Sequence, residues 1–212
     1  GTNSLERIRI DSSGKVGIGT TSPTRPLHIT SDEDLTSFTG TTKGAFCISN
    51  NDYTDGEYGA IDFTYTGSDN PIARIATKIT GGGTLLSLGT SNNYSSGITN
   101  EGLTIDESGR VGIGTTNPSY PLEVVAASGD ANMRLRTAGT GSSDDTVFRM
   151  QVAGTTQDNF IYFGDSDDSN AGQIRYNHNS DFMSIHVNAS ERMRIDASGD
   201  LKVQRIHDNI TS

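Results

Sequence analysis

Tryptophan is absent from this 212-residue chain, cysteine occurs once, proline five times, and hydrophobic residues make up only 32%. Each shortage removes a class of protein. A single cysteine, Cys47, permits no internal disulfide framework; its place in the alternating run Ala45-Phe-Cys-Ile48 predicts a small buried hydrophobe. No apolar run approaches the ~20 residues that a membrane helix needs, so membrane insertion is not expected. No opening segment has the regions of a signal peptide, so lysis or another route is expected to release a product that works outside a cell. Basic residues are the minority charge, 16 Lys and Arg against 26 Asp and Glu, for a net charge of −10 and a pI near 4.7. That balance repels phosphate backbones and anionic membrane surfaces, and nucleic acid is not expected as a partner.

Signals for chemistry are equally thin. His28, His178, His186 and His207 show no ligand spacing and no cysteine pair exists, so no metal site within one chain is expected. A threefold axis would gather three copies of one histidine, and His186 in Ser184-Ile-His-Val187 is the candidate. The charged loop Asp165-Ser-Asp-Asp-Ser-Asn-Ala-Gly172 fails as an EF-hand, with Asn170 where glycine is required and Tyr176 where a bidentate Glu belongs, and reads as a solvated turn. There is no Gly-x-Ser-x-Gly elbow, and 26 acidic residues single out no glycosidase pair. No cofactor and no enzyme activity are expected.

What the chain has is glycine and repetition. Its 25 glycines, roughly 12% against a background near 7%, accompany abundant Ser, Thr, Asn and Asp, a composition of short strands joined by turns. Asp11-Ser-Ser-Gly-Lys-Val-Gly-Ile-Gly-Thr-Thr-Ser-Pro23 returns as Asp106-Glu-Ser-Gly-Arg-Val-Gly-Ile-Gly-Thr-Thr-Asn-Pro118, and a degraded third copy starts at Asp196-Ala-Ser-Gly199. Period-two apolar residues flank the motif, Ile8 and Ile10 before it, Val16 and Ile18 within, Leu27 and Ile29 after. This is a hairpin pattern. The aspartate caps the turn through its carboxylate, and Gly14, Gly109 and Gly199 take the positive φ it requires.

Gly17 and Gly19 alternate with Val16 and Ile18, and Gly112 and Gly114 with Val111 and Ile113, leaving one face apolar and the other bare. Glycine weakens a strand unless another backbone comes very close. The expected neighbour is a sister chain wrapped about a shared axis. A phosphate cradle is excluded, since no third glycine opens a helix and Thr-Thr-Ser-Pro follows instead.

Glu6-Arg-Ile-Arg-Ile-Asp-Ser-Ser-Gly-Lys-Val-Gly-Ile-Gly-Thr-Thr-Ser-Pro23 resembles the repeat of bacteriophage tail fibre and tailspike proteins, often written near "ERMRID-SG-VGIGT-P". The resemblance extends to Ile161-Tyr-Phe-Gly-Asp-Ser-Asp-Asp168 and to Gly172-Gln-Ile-Arg-Tyr-Asn-His178 running into Glu191-Arg-Met-Arg-Ile-Asp196. Similar repeats occur in some bacterial surface proteins. The resemblance implies a homotrimer, a virion tail component that is extracellular after release, and contact with other tail proteins. In fibres of the endosialidase type a C-terminal intramolecular chaperone follows such a segment and removes itself beside a serine, which would make Ser212 a processing end. Asn3 to Asp11 aligns without gaps on Asn188 to Asp196, so the chain is read as opening inside a unit of a longer protein.

The motifs divide the chain into a first hairpin repeat (1–31), a β insert (32–100), a second repeat (101–128), a second insert (129–190) and a degenerate third repeat (191–212). Strands are expected in the first insert at Ala45 to Ser49, Tyr58 to Thr66, Ile72 to Ile79 and Thr84 to Gly89, with turns at Asp55-Gly56, Gly67 to Pro71 and Gly81 to Gly83. The second offers Met133 to Arg136, Thr146 to Val152, Phe160 to Gly164, Gln173 to Asn177 and Phe182 to Val187. Thr30 to Thr39 carries a weak helix signal. Sugar sites combine aromatic faces with carboxylates and amides. Tyr53, Asp55, Glu57 and Tyr58 form the densest such cluster, and Asn92 with Tyr94 the second; Tyr65, Tyr162 and Phe163 are expected to be packed inside.

The expectation is therefore an all-β chain of short antiparallel hairpins and small sheets in a modular, intertwined homotrimeric fibre. Its role would be to present or space a surface that binds a bacterial polysaccharide or another host receptor, through avidity of three identical weak sites. A depolymerising tailspike and a bacterial adhesin or stalk are the rival readings.

Overall fold

The aspartate of each repeat makes its turn before any packing is considered. In a computed structural model that describes residues 6–30, 47–48, 54–65, 68–138, 141 and 145–204, Asp106 Oδ1 accepts hydrogen bonds from the amides of Ser108 and Arg110 at 2.9 and 2.8 Å. Asp11 receives those of Ser13 and Lys15, and Asp196 those of Ser198 and Asp200. Gly14, Gly109 and Gly199 stand at φ 77°, 76° and 85°, a region that penalises any side chain. Three equivalent turns result, each joining two antiparallel strands.

Among the described residues the fold is all β. In the first compact unit, residues 1–132, strands β1 (Ile8–Ile10), β2 (Val16–Ile18) and β3 (Leu27–Ile29) form one sheet. A second sheet takes β4 (Tyr58–Tyr65), β5 (Ser68–Thr80), β6 (Gly83–Thr90), β7 (Asn100–Ile105), β8 (Val111–Ile113) and β9 (Leu122–Val124) in chain order. In the second unit, 133–212, β10 (Asp158–Phe163), β11 (Gly172–Asn177), β12 (Phe182–Val187), β13 (Ser190–Ile195) and β14 (Leu201–Val203) form an antiparallel meander.

The first two repeats each end in a parallel pair, β2 with β3 and β8 with β9. Parallel neighbours ordinarily need a crossover of a dozen or more residues. Here the linking loop runs only from Gly19 to Pro26, and from Gly114 to Pro121. It is short because it lies directly on the strand. A Cβ at Gly17 would stand 2.6 Å from the Thr20 carbonyl oxygen, and one at Gly112 would collide with that of Thr115 and come within 2.8 Å of Thr104 Oγ1. Pro118 is fully buried there, and the Thr104 hydroxyl donates to the Thr115 carbonyl at 2.8 Å. Gly19 and Gly114, at φ 73° and 74°, pass beneath the carbonyls of Thr30 and Val125. The bare face of the motif is thus filled by its own chain. A sister chain is not what these glycines accommodate.

Other expectations shift as well. The second repeat does not stand apart from the first insert, because β4–β6 and β7–β9 share a sheet; β13 and β14 likewise join β10–β12. Ser68 to Pro71, expected as a turn, belongs to β5, where pairing with β4 outweighs the turn chemistry of Asn-Pro. Met133 to Arg136 and Thr146 to Val152 form no strand, since an alternating pattern needs a neighbouring backbone and none pairs with them among the described residues. Cys47 is exposed rather than buried. The helix signal beyond Thr30, and most of Ala45 to Ser49, lie outside the described residues.

Two glycine substitutions separate the two roles. Gly109→Ala meets nothing within 4 Å and loses only backbone freedom, so it is expected to cost about 1–2 kcal/mol. Gly112→Ala must push the crossover off the strand and is expected to cost more, up to about 3 kcal/mol. Ala189, at φ 55° in the two-residue Asn188-Ala189 turn between β12 and β13, tests the converse: Ala189→Gly should stabilise by about 1 kcal/mol. Denaturant melts of the three variants measure all of this, and equal losses at Gly109 and Gly112 would contradict the steric account.

Candidate functional site: sheets with uncovered apolar faces

Register decides which side chains share a face, because residues paired across a sheet point the same way. In the three-stranded sheet Ile8 pairs with Ile18, Ile10 with Val16, Val16 with Leu27 and Ile18 with Ile29. One face is therefore wholly aliphatic, and Ile8 and Ile10 are 64% and 71% exposed. The six-stranded sheet continues the pattern: Ile61 lies beside Ile75, Ile75 beside Leu88, Leu88 beside Leu103, and Leu103 beside Ile113, which pairs with Val124. Phe63, Leu88, Leu122 and Val124 on that face are exposed.

The opposite face of the same sheet holds Asp62, Arg74, Ala76, Lys78, Leu85, Ser87 and Thr104, of which Ala76, Leu85, Ser87 and Thr104 are buried and the charged side chains reach the surface. Arg74 forks onto Asp62 at 2.6 and 2.8 Å, and Ser87 donates to Glu101. The hydrogen bond from Arg74 holds the Asp62 carboxyl below the usual range.

The second unit repeats the inversion. Ile161, Phe163, Met183, Ile185, Val187, Met193, Ile195, Leu201 and Val203 share a face and are exposed. Behind them Phe182 is buried under two guanidinium groups, Arg194 at 3.7 Å and Arg175 at 5.4 Å from its ring centre. Each arginine is held by a carboxylate, Arg175 by Asp158 at 2.7 Å and Arg194 by Glu191 at 2.6 Å. Charged side chains lie flat over an aromatic ring and roof it. His186 is on this roofed face, its Nε2 3.0 Å from the buried Ser184 hydroxyl, not on the apolar one.

Buried hydrophobic side chains among the described residues are Ala76, Leu85 and Phe182. Fully burying one large aliphatic or aromatic side chain contributes about 1.5–3 kcal/mol, so the face from Ile61 to Val124 leaves on the order of 10 kcal/mol unrealised. Contiguous apolar surface of that extent marks an association site.

The residues singled out by sequence divide differently. Asp55 Oδ1 accepts the Gly81 amide at 2.6 Å and clamps the β5–β6 turn, and Glu57 belongs to the adjoining turn through its amide to Thr54. Tyr58 opens β4, with the Lys78 ammonium 5.4 Å from its ring centre. Asn92 is tied to Thr99 at 2.9 Å through its amide and its side chain. Tyr94 is exposed and meets Tyr65 edge to face at 5.4 Å. Tyr65, Tyr162 and Phe163, expected inside, are exposed; Phe163 is on the uncovered aliphatic face, whereas Tyr162 is on the polar face beside Gln173, beyond the arginines that cover Phe182. Tyr53 and Ser212 lie outside the described residues. In the acidic loop Asp165 Oδ1 accepts the amides of Asp167 and Asp168, and these hydrogen bonds lower its pKa. The motif's apolar face was legible in its alternating Ile, Leu and Val, but the sequence reading assigned the expected neighbour to the bare glycine face; that the aliphatic face stays exposed follows from register and burial.

No protein-family model matches the chain, and no curated protein matches it in sequence. Among solved structures it is similar to the carboxy-terminal domain of the bacteriophage T5 L-shaped tail fibre, with a TM-score of 0.52 and 14% identity, over 86% of this chain and 92% of that one. At that identity the likeness is one of fold.

The three turn carboxyls make the fold acid-sensitive. The Lys15 amide, the Ser13 amide and nearby cations lower Asp11; the Lys202 ammonium and the Asp200 amide lower Asp196. Burial pushes Asp106 upward, and the Arg110 amide and guanidinium with the Ser108 amide outweigh it. A depressed folded pKa means stability that is fully present above the unfolded value of about 3.9 and lost as pH falls through the folded one. Melting temperature is expected to hold from neutral pH to about 4 and to drop below it, with Asp106→Asn reducing that drop. A melting temperature that stays level into strong acid would show that the carboxylates do not hold the turns.

Proposed function

We propose that this chain is a segment of a homotrimeric bacteriophage tail fibre that presents or spaces a surface for a bacterial polysaccharide or other host receptor. The observation that carries it is the inverted protomer, in which polar faces are closed by the chain's own loops and side chains while aliphatic faces stand open. Three copies packing those faces together would recover the missing burial, at an association cost of about 4–15 kcal/mol. The fold shared with a tail fibre domain supports the same reading, as does the motif's resemblance to fibre repeats.

In this reading the chain works by binding rather than by cleaving. Three identical sites on one axis raise effective concentration, so each contact with a glycan stays weak while attachment holds. The virion, in contact with other tail proteins, is its place of action, outside the cell after release.

Native mass spectrometry is expected to give three times the 22.5 kDa chain mass. Leu88→Glu, on the open face, should return single chains that keep their β circular dichroism. The assembled chain should adsorb to host cells and release no reducing ends from their polysaccharide. A native mass of one chain, or a Leu88→Glu protein that stays trimeric, would overturn the fibre; released reducing ends would favour a depolymerising tailspike.

A further inference from the structure

On the polar face of the six-stranded sheet two hollows of about 310 and 260 Å³ adjoin, sharing Tyr58 and Glu101 as their common wall. In the smaller hollow the sheet floor is made of small residues, Ala76 and Ser87 with Gly89, below Tyr58, Arg74 and Glu101; in the larger, Tyr58, Lys78 and Glu101 rise around Leu85 and Thr80. Apolar floor is supplied by Leu85 in the first and Ile98 in the second. Together they match the lower end of the ~300–1,000 Å³ clefts that hold small ligands.

We infer that this groove binds a neutral polysaccharide, one sugar unit on each side of the Tyr58–Glu101 pair; the inference rests on reading the chain as a host-attachment element. Tyr58 is partly exposed and offers a ring for the apolar face of a sugar. The side-chain carboxamide of Asn117, whose backbone amide donates to Thr115 Oγ1 at 3.2 Å, and the hydroxyls of Tyr58 and Thr116 form no hydrogen bond within the chain among the described residues, and Glu101 has only one oxygen engaged, by Ser87. These groups suit hydroxyls, which both donate and accept. Charge argues against an acidic sugar. Arg74 is committed to Asp62 and Arg110 to Asp106, which leaves Lys78, over the Tyr58 ring, against the carboxylates of Glu101 and Glu107. The net charge of −10 adds a repulsive background for any polyanion.

The groove also lies on the correct side. It occupies the face away from Ile75, Leu88 and Ile113, so packing of the aliphatic face between copies leaves it open to a ligand.

The test uses the assembled full chain on a panel of neutral hexose and N-acetylhexosamine oligosaccharides, with oligogalacturonate and oligosialic acid as the acidic arm and the surface polysaccharide of an adsorbing bacterium alongside. Binding is expected on the neutral arm. Tyr58→Ala and Asn117→Ala should each weaken it about tenfold, with native mass unchanged, while Tyr120→Ala, exposed outside the groove, should not. If the wild-type chain binds polysaccharide and both groove variants bind equally well, the groove inference fails and the attachment reading stands. Selective binding of the acidic arm overturns the neutral class. No binding to any glycan or to cells overturns both.

Discussion

The chain closes its polar faces and leaves its aliphatic ones open, and that inversion governs the rest of the structure. In an ordinary single-chain sheet the apolar side chains would face a second layer. Here the second layer lies on the other side, made of a short loop resting on glycine in the repeats and of guanidinium groups resting on Phe182 in the second unit. Small residues such as Ala76, Ser87 and Thr104 fill the buried positions. Most of the large apolar side chains of the described strands are therefore left exposed.

Two devices make the inversion possible. The crossover from β2 to β3, and from β8 to β9, is short enough to be parallel only because Gly17 and Gly112 let the loop touch the strand. It adds a third aliphatic strand to each hairpin, enlarging the open face while closing the bare one. The carboxylate turns supply the second device: each fixes its hairpin locally through two amides, so the sheet does not rely on a core to set its register.

A fibre has use for such a protomer. In the fibre reading proposed above, stability would come from copies of the same chain packing their aliphatic faces, leaving the polar, charged and hollowed surface around Tyr58 and Glu101 outward. The acidic balance of the chain sets a repulsive background around that surface for any polyanion.

Strand identity and turn position were legible in the repeat itself, since period-two Ile, Leu and Val and the Asp-x-Ser-Gly spacing are local properties of a dipeptide pleat and a four-residue turn. β4, β6, β11 and β12 fall within a residue or two of where alternation placed them. Alternation also marked Met133 to Arg136 and Thr146 to Val152, which pair with no strand among the described residues; a pattern states what a segment can pair with, not whether the pair is present. Why the glycines are bare, which face stays open, and that Tyr58 stands with Glu101 and Asn117 rather than with its sequence neighbours were decided by tertiary structure alone. The physical reason is that each of these depends on which distant backbone comes within van der Waals reach, a through-space quantity that composition and spacing along a chain do not encode.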